Sequence, residues 1–189
     1  MKKFCIIALI TYSLIGGSTL SKATIVPRVS EERLQLIREI QQKLNLSFHC
    51  EFSVHIGQTR KYATANSSGI IMIDRSFLQS ADPESIFFAI AHEYAHAYLQ
   101  HDVLLYGQMT NPKGVNEELR SWTDTRRHFE KEADGIAARK AKQMGFAIEG
   151  IIKFILEIPD LEKGVPAEDR VYSKPSERAH YILAVFQSS

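Results

Sequence analysis

Cysteine, proline and tryptophan are scarce in this chain, at 2, 6 and 1 of 189 residues. Cys5 falls in an N-terminal stretch that reads as a removable leader, which leaves Cys50 alone and excludes an internal disulfide. Excess charge of one sign is also missing: 23 basic residues face 22 acidic ones, for a formal charge of +1. With no basic stripe and no alternation of aromatic and basic residues, a nucleic-acid partner is not expected. The chain has no internal repeat and no low-complexity tract, and its apolar runs fall short of the roughly 20 residues that span a bilayer.

What the N-terminus does have is a leader pattern. Lys2 and Lys3 precede an apolar run from Phe4 to Ile15, broken by Thr11 and Ser13 and followed by Gly16 and Gly17, and Ser21-Lys22-Ala23 closes it in a small-x-small cleavage pattern. Residues 1–23 are therefore expected to be a secretory signal, with residues 24–189 forming one domain. Losing Lys2, Lys3 and Lys22, with no acid among them, takes the formal charge from +1 to −2. The exported product is expected in a periplasm or outside the cell, with no membrane span once the signal is cut. An uncleaved anchor is the alternative.

Along the domain, Ser30-Glu31-Glu32 opens an amphipathic helix through Leu34, Ile37, Ile40 and Leu44. Strict alternation from Leu46 to Ile56 predicts a half-buried strand, with Cys50 on its apolar side as a structural thiol and His49 and His55 on its solvated face. Tyr62–Ala65 and Ile70–Ile73 read as further short strands, separated by the turn Asn66-Ser67-Ser68-Gly69. Gly107, Pro112 and Gly114 suggest a loop over residues 102–114. Helices follow from Asn116 to Trp122, from Thr125 to Met144, from Ile148 to Ile158 and from Pro175 to Phe186, with a long loop over residues 160–173. The fold class expected is α+β, mainly helical, with a small sheet ahead of the central helix.

That central helix carries the chemistry. Asp82-Pro83-Glu84 reads as an N-cap, a proline at the first helical position and an acid in the first turn, and Ile86, Phe87, Ile90 and Ala91 form a buried stripe. Mid-helix stands His92-Glu93-Tyr94-Ala95-His96. Residues four apart share a helix face, so His92 and His96 offer two neutral nitrogens to one ion while Glu93 stands beside it as a base. The bland alternative is a pair of buried, hydrogen-bonded histidines.

A catalytic zinc takes three protein ligands, and two residues compete for the third place. Asp102 lies six past His96, but reaching back requires a helix break, and Leu99 stands where a glycine would make one. In Glu130-Lys131-Glu132-Ala133-Asp134, the acids Glu130 and Asp134 are four apart on another helix. There Glu130 would bind the ion and Asp134 would accept the N–H of His92. Ala133, Ala137 and Ala138 would let the two helices approach closely. A solvated charged face is the alternative.

His-Glu-Tyr-Ala-His followed by Phe-Glu-Lys-Glu-Ala-Asp-Gly resembles the gluzincin metallopeptidases of the HtpX, CAAX prenyl protease and BepA group. Tyr62–Ala65 with Gly69–Ile73 resembles that family's edge-strand region, and Lys174-Pro175-Ser176-Glu177-Arg178 its C-terminal segment, with Lys174 where the family often has histidine. The resemblance implies a zincin-like domain holding one Zn2+ on His92, His96 and Glu130 rather than Glu132, with Asp134 behind and Glu93 as the general base. By resemblance Arg178 is the first candidate to stabilise the oxyanion; apart from the resemblance, Tyr106, His128 and His180 are further candidates. The implied activity is proteolysis; the small sheet itself suggests an endopeptidase for unfolded or extended protein, with the substrate added as a strand along the sheet edge near Gly69–Ile73. Envelope quality control and maturation of one dedicated substrate fit equally, and a non-catalytic, chaperone-like binding domain is the rival.

Overall fold

A computed structural model describes residues 28–109 and 115–189; the expected signal segment and the glycine and proline of residues 112–114 lie outside the described residues. The described chain is mixed α+β and mostly helical, with one small sheet. No described helix is long and apolar enough to cross a membrane.

Helix α1 spans Glu31–Phe48, capped by the Ser30 hydroxyl accepting from Arg33 N. It runs four residues past Leu44 into the stretch whose alternation predicts a strand. Phe48 is buried against Tyr94, and His49 ends the helix in the left-handed region at φ 53°. Asn45 then ties the turn together: its Oδ1 accepts from Phe52 N at 3.0 Å and its Nδ2 donates to Phe52 O at 2.9 Å. A side chain has taken the place of a neighbouring strand, so extended pairing begins only at Ser53. The expected eleven-residue strand is thus the five-residue β1, Ser53–Gly57. Period-two alternation is ambiguous where a helix end meets a strand start.

Strands β2, Ala63–Ala65, and β3, Ile70–Asp74, complete the sheet in the order β1-β3-β2, with β3 parallel to β1 and antiparallel to β2. The central place of β3 corrects the docking edge expected near Gly69–Ile73: its backbone is paired on both sides, and the edge turned toward the central helix is β2. Asp74 ends β3 by capping α2, Arg75–Ser80.

Helix α3, Pro83–Tyr98, is the central element. Asp82 accepts from Ser85 N at 2.7 Å, and Pro83 fills the first turn, where a missing N–H costs nothing. Its side chains from Ser85 to His92 are buried, Ile86, Phe87 and Ile90 completely. The 102–114 loop expectation is corrected over its first half by α4, His101–Met109. The two helices predicted around Thr125 are one, α5, Val115–Gln143. Ala133, Ala137, Ala138 and Ala141 of α5 are all fully buried, and their small side chains let α5 lie close against α3. Helix α6, Ile148–Glu157, and α7, Pro175–Ser188, close the core from the other side. The intervening loop is held by buried Arg170, which donates to Glu162 O at 2.7 Å and Tyr172 O at 3.1 Å.

Candidate metal centre

The turn of α3 that carries the His-Glu-x-x-His motif faces a cleft of about 880 Å³, walled by β2, α5 and the loop before α7. His92, His96 and Glu130 converge there, each with one ligand-type atom within 4.8 Å of the others'. The Nε2 atoms of the two histidines are 3.0 Å apart, and Glu130 Oε2 lies 3.4 Å from one and 3.9 Å from the other. An ion about 2.0–2.1 Å from each donor in tetrahedral geometry separates its ligands by roughly 3.3 Å, so the three atoms already describe most of a ligand triangle. These residues can hold a metal ion, and their nitrogen and carboxylate chemistry fits a divalent transition metal.

Charge at the site follows from burial and neighbours. Burial disfavours the charged form of His92, but the carboxylates of Asp134 and Glu130 outweigh it and raise its pKa to about 10. His96 has no such carboxylate bond. Burial, then the charge on His92, lower it to about 3, leaving it neutral. Burial works against Glu130 and Asp134 as anions, yet His92 holds Glu130 at about 2, while Arg178 and His92 do the same for Asp134.

Asp134 reaches His92 from behind, with Oδ1 3.0 Å from Nδ1, and that nitrogen has no other partner among the described residues. It therefore fixes Nε2 as the nitrogen turned to the site. Arg178 arrives from α7 and grips Asp134 bidentately, Nε and Nη2 donating at 2.8 and 2.7 Å. Two of its nitrogens are committed to this pair, and Arg178 also lines the cleft. The other three candidates for the oxyanion role do not line the cleft. Tyr106 and His128 are well exposed, and exposed His180 turns its Nδ1 to Ser176 O at 3.0 Å.

Glu93 is half-buried on the cleft wall, and the backbone N–H of Ala65 in β2 bonds its carboxylate. Burial is the main force on it and raises its pKa to about 7, the range suited to taking and returning a proton. On β2 the residues bonded to β3 alternate: Asn66 N donates to Ile70 O and Tyr62 O accepts from Asp74 N. The backbone groups of Ala63 and Ala65 consequently point away from the sheet, on the cleft side.

Asp102, the weaker candidate for third ligand, is engaged elsewhere. Its carboxylate accepts from Ser67 N at 3.1 Å and Val103 N at 2.8 Å, tying the turn after β2 to the start of α4. Cys50 bonds Asn45 Oδ1 at 3.4 Å, with burial pushing its thiol pKa up, as suits a structural thiol. His55 sits on Ser53 Oγ at 2.9 Å, away from the cleft. Sequence reasoning missed His101, which is buried beside His96, and Tyr172, whose hydroxyl accepts from Arg126 at 2.7 Å on the cleft wall. A third histidine five places past the motif was the only signal for His101.

No protein-family model matches the chain, and no curated protein matches it significantly. The functional reading therefore stands on the residues and their geometry.

Proposed function

We propose that this protein is an exported zinc endopeptidase of the gluzincin type, with a zincin-like domain, acting on unfolded or extended protein in the cell envelope or outside the cell. The observation that carries the reading is a three-member donor set, His92, His96 and Glu130, beside an acid that is not a ligand. Structural zinc takes four protein ligands and needs no base, whereas hydrolytic zinc keeps one position open and requires one. Bound on these three side chains, zinc would supply a Lewis acid that acidifies water and polarises a carbonyl.

The remaining steps belong to the chain. Glu93, with a pKa near 7, takes the proton of the attacking water and hands it to the leaving amine. An extended peptide laid along β2 meets the outward backbone groups of Ala63 and the carbonyl of Ala65, which select main-chain shape over sequence. The Ala65 N–H also bonds Glu93, so strand and base are held in one frame. Envelope quality control suits such selectivity.

The test is zinc content per chain in protein purified without added metal. The parent is expected to carry about one zinc and Glu130→Gln much less. A parent that stays metal-free after zinc is supplied ends the enzyme reading and leaves the β2 edge as a binding surface.

A further inference from the structure

The two histidines of the site are supported differently. His92 leans directly on the Asp134 carboxylate. His96 leans on a second imidazole: its Nδ1 is 2.9 Å from Nδ1 of His101, whose Nε2 is 3.3 Å from Glu132 Oε2. His101 is 2% exposed, and its ring lies flat on Phe129, with centroids 4.0 Å apart and planes within 4°. The ring is pinned face-on and bonded at both nitrogens.

The backbone explains how it gets there. In a continuing helix, five residues put His101 about 140° round from His96. Gln100 instead adopts the left-handed region at φ 55°, α3 stops, and α4 restarts at His101 in a new direction. The new helix packs on α5, which brings the ring between His96 and Glu132. Glu132 is two residues from Glu130 and points to a different side of α5, where Glu130 and Asp134 cannot reach.

We propose that His101 and Glu132 form a relay that sets the tautomer of His96 and so aims its Nε2 lone pair at the metal position. A carboxylate only accepts, so His101 Nε2 carries the proton that faces Glu132. With its proton on Nε2, His101 turns an acceptor Nδ1 to His96, which donates its own Nδ1–H to it. His96 Nε2 is left as an acceptor pointing into the site. All three acids of the Glu130-Lys131-Glu132-Ala133-Asp134 stretch thereby serve the centre, one as ligand and two as anchors for the histidines. The inference deepens the metal-site reading and rests on it for its purpose.

Two readouts on the full chain test it: zinc affinity by chelator competition, and long-range nitrogen–proton NMR correlations of the histidine rings in metal-free protein. The parent should show His96 protonated on Nδ1. Glu132→Ala, at a side chain 40% exposed, keeps the fold and is expected to weaken zinc binding about 10–100-fold. Glu132→Gln retains an acceptor oxygen and should recover most of the loss. His101→Phe keeps the stack on Phe129 but has no ring nitrogen, and should weaken zinc at least as much while mixing the tautomers of His96. Affinity within about twofold of the parent in both Glu132→Ala and His101→Phe overturns the relay, since an anchor of this kind is worth more. So does a metal-free parent with His96 protonated on Nε2. A parent that takes up no zinc overturns the proposed function instead, and the tautomer spectra still decide the relay.

Discussion

Helices α3 and α5 face each other across the candidate metal centre, and they present its polar groups against opposite backgrounds. Nearly every inward side chain of α3 is apolar and buried, so His92, Glu93 and His96 are conspicuous polar groups in a helix that otherwise fills the core. Helix α5 is charged along most of its length, and Glu130, Glu132 and Asp134 stand among lysines and arginines of ordinary surface type. Desolvation separates the two: a polar group inside α3 must be satisfied or used, whereas an acid on α5 costs nothing until α3, α4 or α7 covers it. In the proposed function α3 would supply the base and two of the ligands, and α5 the third ligand together with the carboxylates that orient the histidines.

The sharpest break of this contrast is Glu93→Gln. If α3 carries the chemistry, turnover of an unfolded protein probe such as denatured casein should fall about 10²–10⁴-fold, the range of a lost general base. Zinc content should be unchanged. Stability should not fall either. Burial raises the folded pKa of Glu93 to about 7 from 4.5, so folding favours its protonated form. Stability from this group is complete below 4.5 and lost as pH climbs toward 7. Glutamine is neutral throughout and avoids that loss. Equal turnover in parent and Glu93→Gln leaves only the binding-domain alternative.

Arg178→Ala probes the other side. It strands the Asp134 carboxylate, which is 2% exposed, with His92 as its remaining partner. Breaking a buried pair on one side costs about 3–5 kcal/mol. The loss should appear in urea unfolding of the metal-free protein. Arg178→Lys, with a single point donor in place of a fork, should fall between. A loss below about 1 kcal/mol would make the pair equivalent to a surface ion pair and α5 no anchor at all.

The same contrast explains what could be read without coordinates. The α3 motif, its Asp82 cap and the alanine face of α5 were legible, because spacing on a regular helix fixes which side chains share a face. The pairing of Glu130 with Asp134 was legible for the same reason. Glu132 was not: its use depends on α4, and α4 depends on one left-handed residue, Gln100, with no glycine to announce it. The place of Arg178 was readable only as a neighbour of the site, since its grip on Asp134 is set by the packing of α7 on α5. Likewise the alternation through Leu46–Phe52 could not reveal that Asn45 would satisfy Phe52 in place of a strand.

The smallest expected effect is a proton count. In the metal-free protein Asp134 and Glu130, against the opposing effect of burial, hold His92 at about 10, while His96 stays neutral and Glu130 ionised. A metal takes the Nε2 lone pair and requires His92 to be neutral. Binding near pH 7 should therefore expel about one proton from His92, and zinc affinity should rise about tenfold per pH unit until the pH approaches 10. Titration calorimetry in two buffers of different ionisation heat reads that number directly. In Asp134→Asn the strongest support for the charged imidazole is gone, so less proton should be released and the pH slope should flatten, although the His92, His96 and Glu130 ligands are intact. Full release from Asp134→Asn would mean that the carboxylate on α5 does not control the state of the ligand on α3, and the division of labour between the two helices would fail at the residue where it is most specific.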